Sequence, residues 1–96
     1  MEKIQFTWDE KKNIANIKKH GISFIEAAKA YFDPERLEIY DEEHSTLDEE
    51  RWNIIGNSEM KIVFAVIIKP AENVIRIISA RCATKKEQEA YYGNCR

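Results

Sequence analysis

The hydrophobic pattern changes period several times along the chain, and each change marks an element. From Ile4 to Trp8, Ile, Phe and Trp alternate with polar residues, the two-residue period of a half-buried strand. Asp9 follows as a helix cap. Over Asp9–His20, Ile14 and Ile17 with Ala15 form a thin apolar stripe, while Lys11, Lys12, Lys18 and Lys19 take the wet side. His20-Gly21 ends that helix, glycine being the usual residue where the backbone turns left-handed. Ser23-Phe24-Ile25-Glu26 is a capping box that opens a second helix, which runs through Ala27, Ala28 and Ala30 to Tyr31–Phe32 and stops at Asp33-Pro34. So short a link makes the two helices a packed hairpin. Leu37–Tyr40 predicts a strand with Leu37 and Ile39 inward. Arg51–Gly56 predicts another, with Trp52, Ile54 and Gly56 on one face and Arg51, Asn53 and Ile55 on the other.

The centre of the pattern is Lys61–Lys69, a nearly unbroken β-branched run, then the turn residues Pro70-Ala71-Glu72-Asn73, then a second apolar run, Val74–Ala80. Two such runs joined by turn chemistry read as an antiparallel hairpin, and strands apolar on both sides belong in the middle of a sheet. Thr84-Lys85-Lys86-Glu87 is another capping box, opening a last helix over Lys85–Tyr92 that should end before Gly93. The order β-α-α-β-β-β-β-α predicts an α+β fold: one domain over residues 1–96, an antiparallel sheet, and two N-terminal helices and one C-terminal helix packed on it.

Composition agrees with a single globular domain: 44% of residues are apolar and 33% charged, with no internal repeat. No apolar run can span a bilayer and the N-terminus lacks a signal-peptide pattern, so a cytoplasmic protein with no membrane partner is expected. Cys82 and Cys95 fit that compartment as free thiols. Net charge is only −2, but it is unevenly placed. Asp41–Glu50 holds six acids and no Lys or Arg, leaving fifteen basic against eleven acidic residues elsewhere. A local positive surface is compatible with that balance.

Several chemistries are absent from the pattern. Three isolated glycines make no phosphate loop, and His20, His44, Cys82 and Cys95 lack the paired spacing of a zinc site, so no metal or cofactor is expected. What remains is a set of cations. Arg51, Lys61, Arg76 and Arg81 come from three successive strands, and planar guanidinium groups grip phosphate bidentately. Arg76 and Arg81 are an odd number of residues apart, so a regular strand sends them to opposite faces. They share a site only if a bulge intervenes or Arg81 lies past the strand end. Otherwise each arginine pairs with an acid at the sheet surface. His44 is a proton-carrier candidate in the acidic loop, and Glu50, beside Arg51, is a candidate base. Tyr91 and Tyr92 can stack a base or donate a proton, and Lys85 and Lys86 lie on the same last helix. Trp8 and Trp52 read as core.

Taken together, Phe6-Thr7-Trp8-Asp9, Asn16 to Lys19-His20-Gly21-Ile22-Ser23-Phe24, Glu26-Ala27, His44-Ser45, Glu50-Arg51, Gly56, Arg76-Ile77-Ile78-Ser79-Ala80-Arg81, Ala83-Thr84, Glu87 and Tyr91 resemble the BrnT toxins, over nearly the whole chain. The resemblance implies a toxin of a type II toxin–antitoxin pair, with a fold related to the RelE-type ribonucleases and metal-independent cleavage of RNA. It further implies a BrnA-like antitoxin that binds DNA through a ribbon-helix-helix domain. The positions it carries over are His44, Glu50, Arg51, Arg76, Arg81 and Tyr91. Lys61 stands where the family usually has arginine, and Lys61, Lys85, Lys86 and Tyr92 are the expected substrate contacts. On this reading Arg51, Arg76 and Arg81 hold the phosphate of single-stranded RNA, His44 or Glu50 is the base, and His44 or Tyr91 the acid. The competing class is a binding module without chemistry, whose cations or sheet edge hold a partner protein.

Overall fold

The computed structural model describes residues 3–94. Its elements follow the expected order: β1 (Gln5–Thr7), α1 (Glu10–His20), α2 (Phe24–Tyr31), β2 (Leu37–Tyr40), β3 (Arg51–Asn57), β4 (Ile62–Ala71), β5 (Val74–Cys82) and α3 (Lys85–Asn94). The caps act as their residue types dictate. The Asp9 side chain accepts from the Lys11 amide, Gly21 closes α1 at φ 72°, and Ser23 and Glu26 complete a reciprocal box at the start of α2. Thr84 and Glu87 form the third box. α3 continues through Gly93 to Asn94 instead of ending before Gly93.

The five strands form one sheet in the order β1-β5-β4-β3-β2. Neighbours joined directly along the chain, β2 to β5, are antiparallel, as short turns require. β1 lies parallel to β5, so the sheet is mixed where a wholly antiparallel one was expected. The α1–α2 hairpin separates β1 from the later strands, and no tight turn constrains its direction.

Helices α1 and α2 cover one face, where Phe24, Ala27 and Ala30 meet Ile54, Val63, Ala65, Ile67, Ile75 and Ile77. The approach of α2 is close: a Cβ on Gly56 would sit 2.3 Å from the Ala30 carbonyl oxygen, which is why β3 carries glycine there. Trp8 and Trp52 pack against this core. On the opposite face a smaller cluster joins Ile55, Ile62, Ala83 and Tyr91, with Leu37 and Phe64 against it. α3 therefore covers only one end of that face and leaves the rest open. Ile39, expected inward, is 47% exposed because its edge strand reaches past α3.

α1 departs from its predicted face. Ile14 and Ile17 are 50% and 43% exposed, and the helix buries Asn13 and Asn16 instead. The reason lies in backbone chemistry. β1 pairs β5 only as far as Arg76, and beyond it α1 lies where another strand would be. Asn16 takes that strand's role: Oδ1 accepts the Ala80 amide at 3.2 Å, and Nδ2 donates to the Ala80 and Ile22 carbonyls at 2.7 and 2.8 Å. Asn13 Oδ1 likewise accepts the Phe24 amide at 2.8 Å. Isoleucine would leave those buried groups unpaired.

No helix among the described residues is long and apolar enough to cross a membrane. Cys82 is an exposed free thiol, and Cys95 lies outside the described residues.

Candidate functional site

The open part of the second sheet face carries Arg51 and Arg76, and Arg81 lies on the same face at the end that α3 covers. Val66 pairs with Ser79 but Ile67 pairs with Ile77, so Ile78 is one extra residue in β5, a bulge. That single insertion restores phase: Arg76 and Arg81 point to the same face. Register across the strands then arranges the side chains in rows. Arg51, Ile68, Arg76 and Thr7 form the first row, Ile39, Asn53, Val66 and Ser79 the second, and Leu37, Ile55, Phe64 and Arg81 the third. Arg51 and Arg76 flank β4, about 10 Å apart at Cα from two strand spacings.

The acidic loop folds back onto this face. The Asp41 amide donates to the Arg51 carbonyl at 2.9 Å, and the Arg51 amide donates to Ser45 Oγ at 2.8 Å, so the loop is clamped to the first residue of β3. His44 lies within that clamp. Its amide donates to Asp41 Oδ1 at 3.2 Å and its Nδ1 is 2.9 Å from Asp41 Oδ2. A carboxylate only accepts, so Nδ1 carries the hydrogen and Nε2 is left as the ring's second nitrogen. Burial pushes the Asp41 carboxyl up, but the hydrogen bonds from the His44 ring and backbone outweigh it and hold the group below its ordinary value. Asp41, His44, Arg51, Asn53, Phe64 and Val66 line a shallow groove of about 330 Å³. A larger depression of about 490 Å³ lies at the β4–β5 turn, between Ile4, Tyr31, Lys69 and Asn73, and holds none of the candidate residues.

The cations differ in how they are held. Arg51 Nε is 3.2 Å from Glu49 Oε1, and Arg76 has no ion pair among the described residues. Arg81 is gripped: its two terminal nitrogens donate to the two Glu87 oxygens at 2.8 and 2.9 Å, one also donates to the Cys82 carbonyl, and the guanidinium lies 4.2 Å from the Phe64 ring centroid. The Glu87 contact raises Arg81 above its ordinary value, and the Arg81 contact lowers Glu87 below its own.

The other candidates lie elsewhere. Glu50 lines a small cleft with Ile68, Lys69 and Pro70, and the acid on Arg51 is Glu49. Tyr91 is buried in the second core, its hydroxyl donating to Asp33 Oδ2. Lys61 and Tyr92 border a separate depression with Met60, Cys82 and Gln88, and Lys85 and Lys86 are exposed on the first turn of α3. Sequence reasoning passed over Asp41, Asn53 and Phe64. The i, i+3 spacing of Asp41 and His44, and the alternation that puts Asn53 on the face of Arg51, were the available signals.

Residues 8–87 match the family described as the ribonuclease toxin, BrnT, of type II toxin–antitoxin systems. No curated protein matches the chain. Among solved structures, the 1.1 Å crystal structure of the Brucella abortus ribonuclease toxin BrnT is similar. It is 25% identical with a TM-score of 0.64, and the match covers 85% of this chain and 99% of that one.

Proposed function

The chain belongs to the BrnT family of ribonuclease toxins of type II toxin–antitoxin systems, and from that membership we propose that it is a metal-independent endoribonuclease whose site is the His44–Arg51 groove. The observation that carries this reading is the Asp41–His44 pair clamped beside Arg51, on the face that also bears Arg76. A proton carrier and fixed positive charge are what cleavage through the 2′-hydroxyl requires.

His44 Nε2 takes the 2′-hydroxyl proton. The 2′-oxygen bonds to phosphorus and the bond to the 5′-oxygen breaks, leaving a 2′,3′-cyclic phosphate and a 5′-hydroxyl that takes its proton from the imidazolium. Asp41 holds the ring in the useful tautomer and offsets the imidazolium charge. Arg51 and Arg76 meet the charge that gathers on the phosphate oxygens. Arg81 enters this scheme as a neutralised ion pair, Glu50 and Tyr91 stand outside it, and Lys61, Lys85, Lys86 and Tyr92 contact the flanking RNA. The partner is a BrnA-like ribbon-helix-helix antitoxin, which carries the DNA-binding surface of a cytoplasmic complex.

The test is incubation of the purified chain with single-stranded RNA in excess chelator. Cleavage is expected to persist, and to fall on the order of 10²-fold in His44→Gln, the usual range for a general acid–base group. Asp41→Asn should lower it with the fold intact. RNA left whole, or cleavage that chelator stops and a divalent ion restores, overturns the proposal.

A further inference from the structure

The phosphodiester chemistry leaves one polar side chain of the groove unused. Asn53 lies in the second row, between Ile39 and Val66 in register, and one pleat from Arg51 along β3, about 6.6 Å. It is half-buried, and its side-chain amide makes no hydrogen bond with any described residue. That sets it apart from Asn13, Asn16 and Asn57, whose side chains are all bonded to protein. Its neighbours across the sheet are apolar, Ile39 on one side and Val66 on the other with Phe64 beyond, while Asp41, His44 and Arg51 form the polar side of the groove. Phe64 is also braced, because its ring carries the Arg81 guanidinium, which Glu87 holds by two hydrogen bonds. An open amide on an apolar floor beside a fixed ring matches a nucleobase, which offers a flat face for stacking and an edge of donors and acceptors.

We propose that Asn53 is the base-reading residue of the groove: one nucleotide of single-stranded RNA lays its base on Val66 and Phe64, its edge pairs with the Asn53 amide, and its phosphate reaches Arg51. This rests on the ribonuclease reading and adds to it the source of sequence preference. An amide offers a donor and an acceptor side by side, so it pairs bidentately with a base edge held so as to present the complement, and a carboxylate in its place only accepts. Asn53→Asp therefore moves the preference toward guanine, whose Watson–Crick edge carries two adjacent donors. Asn53→Val keeps the strand and removes the reading group.

The experiment measures binding of non-cleavable 2′-O-methyl trinucleotides, differing only in the central base, to the wild-type chain, Asn53→Val and Asn53→Asp. Cleavage-site mapping on ordinary RNA runs beside it. The wild type is expected to favour one base over the weakest by about tenfold, the size of one good bidentate pair. Asn53→Val should bind the four alike, and Asn53→Asp should favour guanine. Equal binding of all four by the wild type, or a preference that survives Asn53→Val, overturns the inference while cleavage of RNA leaves the ribonuclease reading standing. Selective binding lost in Asn53→Val without any cleavage supports the base site and overturns the reading beneath it.

Discussion

At the scale of single residues, Glu87 does two jobs with one carboxylate. Its Oε1 accepts the Thr84 amide, completing the cap of α3, and both oxygens hold Arg81. The cap was legible from Thr84 and Glu87 three positions apart. The ion pair was not, because it depends on the corner between β5 and α3 folding Arg81 back over Phe64. Glutamine supports a capping box as well as glutamate, so Glu87→Gln keeps the cap and removes the charge. The Arg81 hydrogen bond holds the Glu87 carboxyl below its ordinary value of 4.5, overcoming the opposing effect of burial. A lowered folded value means that the stabilisation is whole above the ordinary value and is lost as pH falls through the lowered one. Wild type should therefore resist urea better than Glu87→Gln near neutral pH, and the two midpoints should converge in acid. A gap that stays constant with pH would show that the carboxylate charge is not its source.

At the scale of elements, α1 and β5 mark where periodicity stops being informative. A helical stripe predicts the core face only when the helix packs against side chains. α1 packs against the unpaired backbone of β5, so the amides of Asn13 and Asn16 turn inward and Ile14 and Ile17 outward. β5 hides its bulge in the same way. Ile78 is as apolar as Ile77, and nothing in the alternation marks it as the extra residue that sets Arg76 and Arg81 in phase. Caps and the order of elements along the chain were readable because each follows from a short local signal, whereas these two features depend on partners distant in sequence. The central turn reads too long in the sequence, since Pro70 and Ala71 belong to β4 and only Glu72 and Asn73 turn. The consequence for stability is measurable. Asn16→Ala leaves the Ala80 amide and the Ala80 and Ile22 carbonyls unsatisfied and should cost about 1–3 kcal/mol in urea unfolding. Ile14→Ala, a larger apolar loss by composition, should change stability by no more than about 0.5 kcal/mol, as an exposed position does. The reverse order of effects would contradict the inward placement of the asparagines.

At the scale of the whole molecule, the two sides of the sheet are tied together at Asp33, just past α2. Its Oδ2 accepts the Tyr91 hydroxyl from α3 and the Asn57 amide from the end of β3, and its Oδ1 accepts the Glu35 amide. Burial pushes this carboxyl up, but the bonds from Tyr91, Asn57 and Glu35 and the nearby Arg36 charge together hold it below its ordinary value of 3.8. The knot sits at the far end of β3 from Arg51: Asn57 is six positions on from Arg51, about 20 Å of strand. The same residue type can thus serve two quite different ends, since a tyrosine near the C-terminus reads from sequence as a proton donor or a stacking ring. Burial in the second core and the bond to Asp33 give Tyr91 an anchoring role, holding α3 on the sheet so that Glu87 meets Arg81. Tyr91→Phe keeps the ring and removes only the hydroxyl. It should cost about 1.5–3 kcal/mol of stability, the range for a hydrogen bond to a charged group, and leave the cleavage rate of the folded protein close to wild type. A fall of about 10²-fold or more in that rate, with stability unchanged, would instead make the hydroxyl a proton donor to the leaving oxygen and move the reaction centre toward α3.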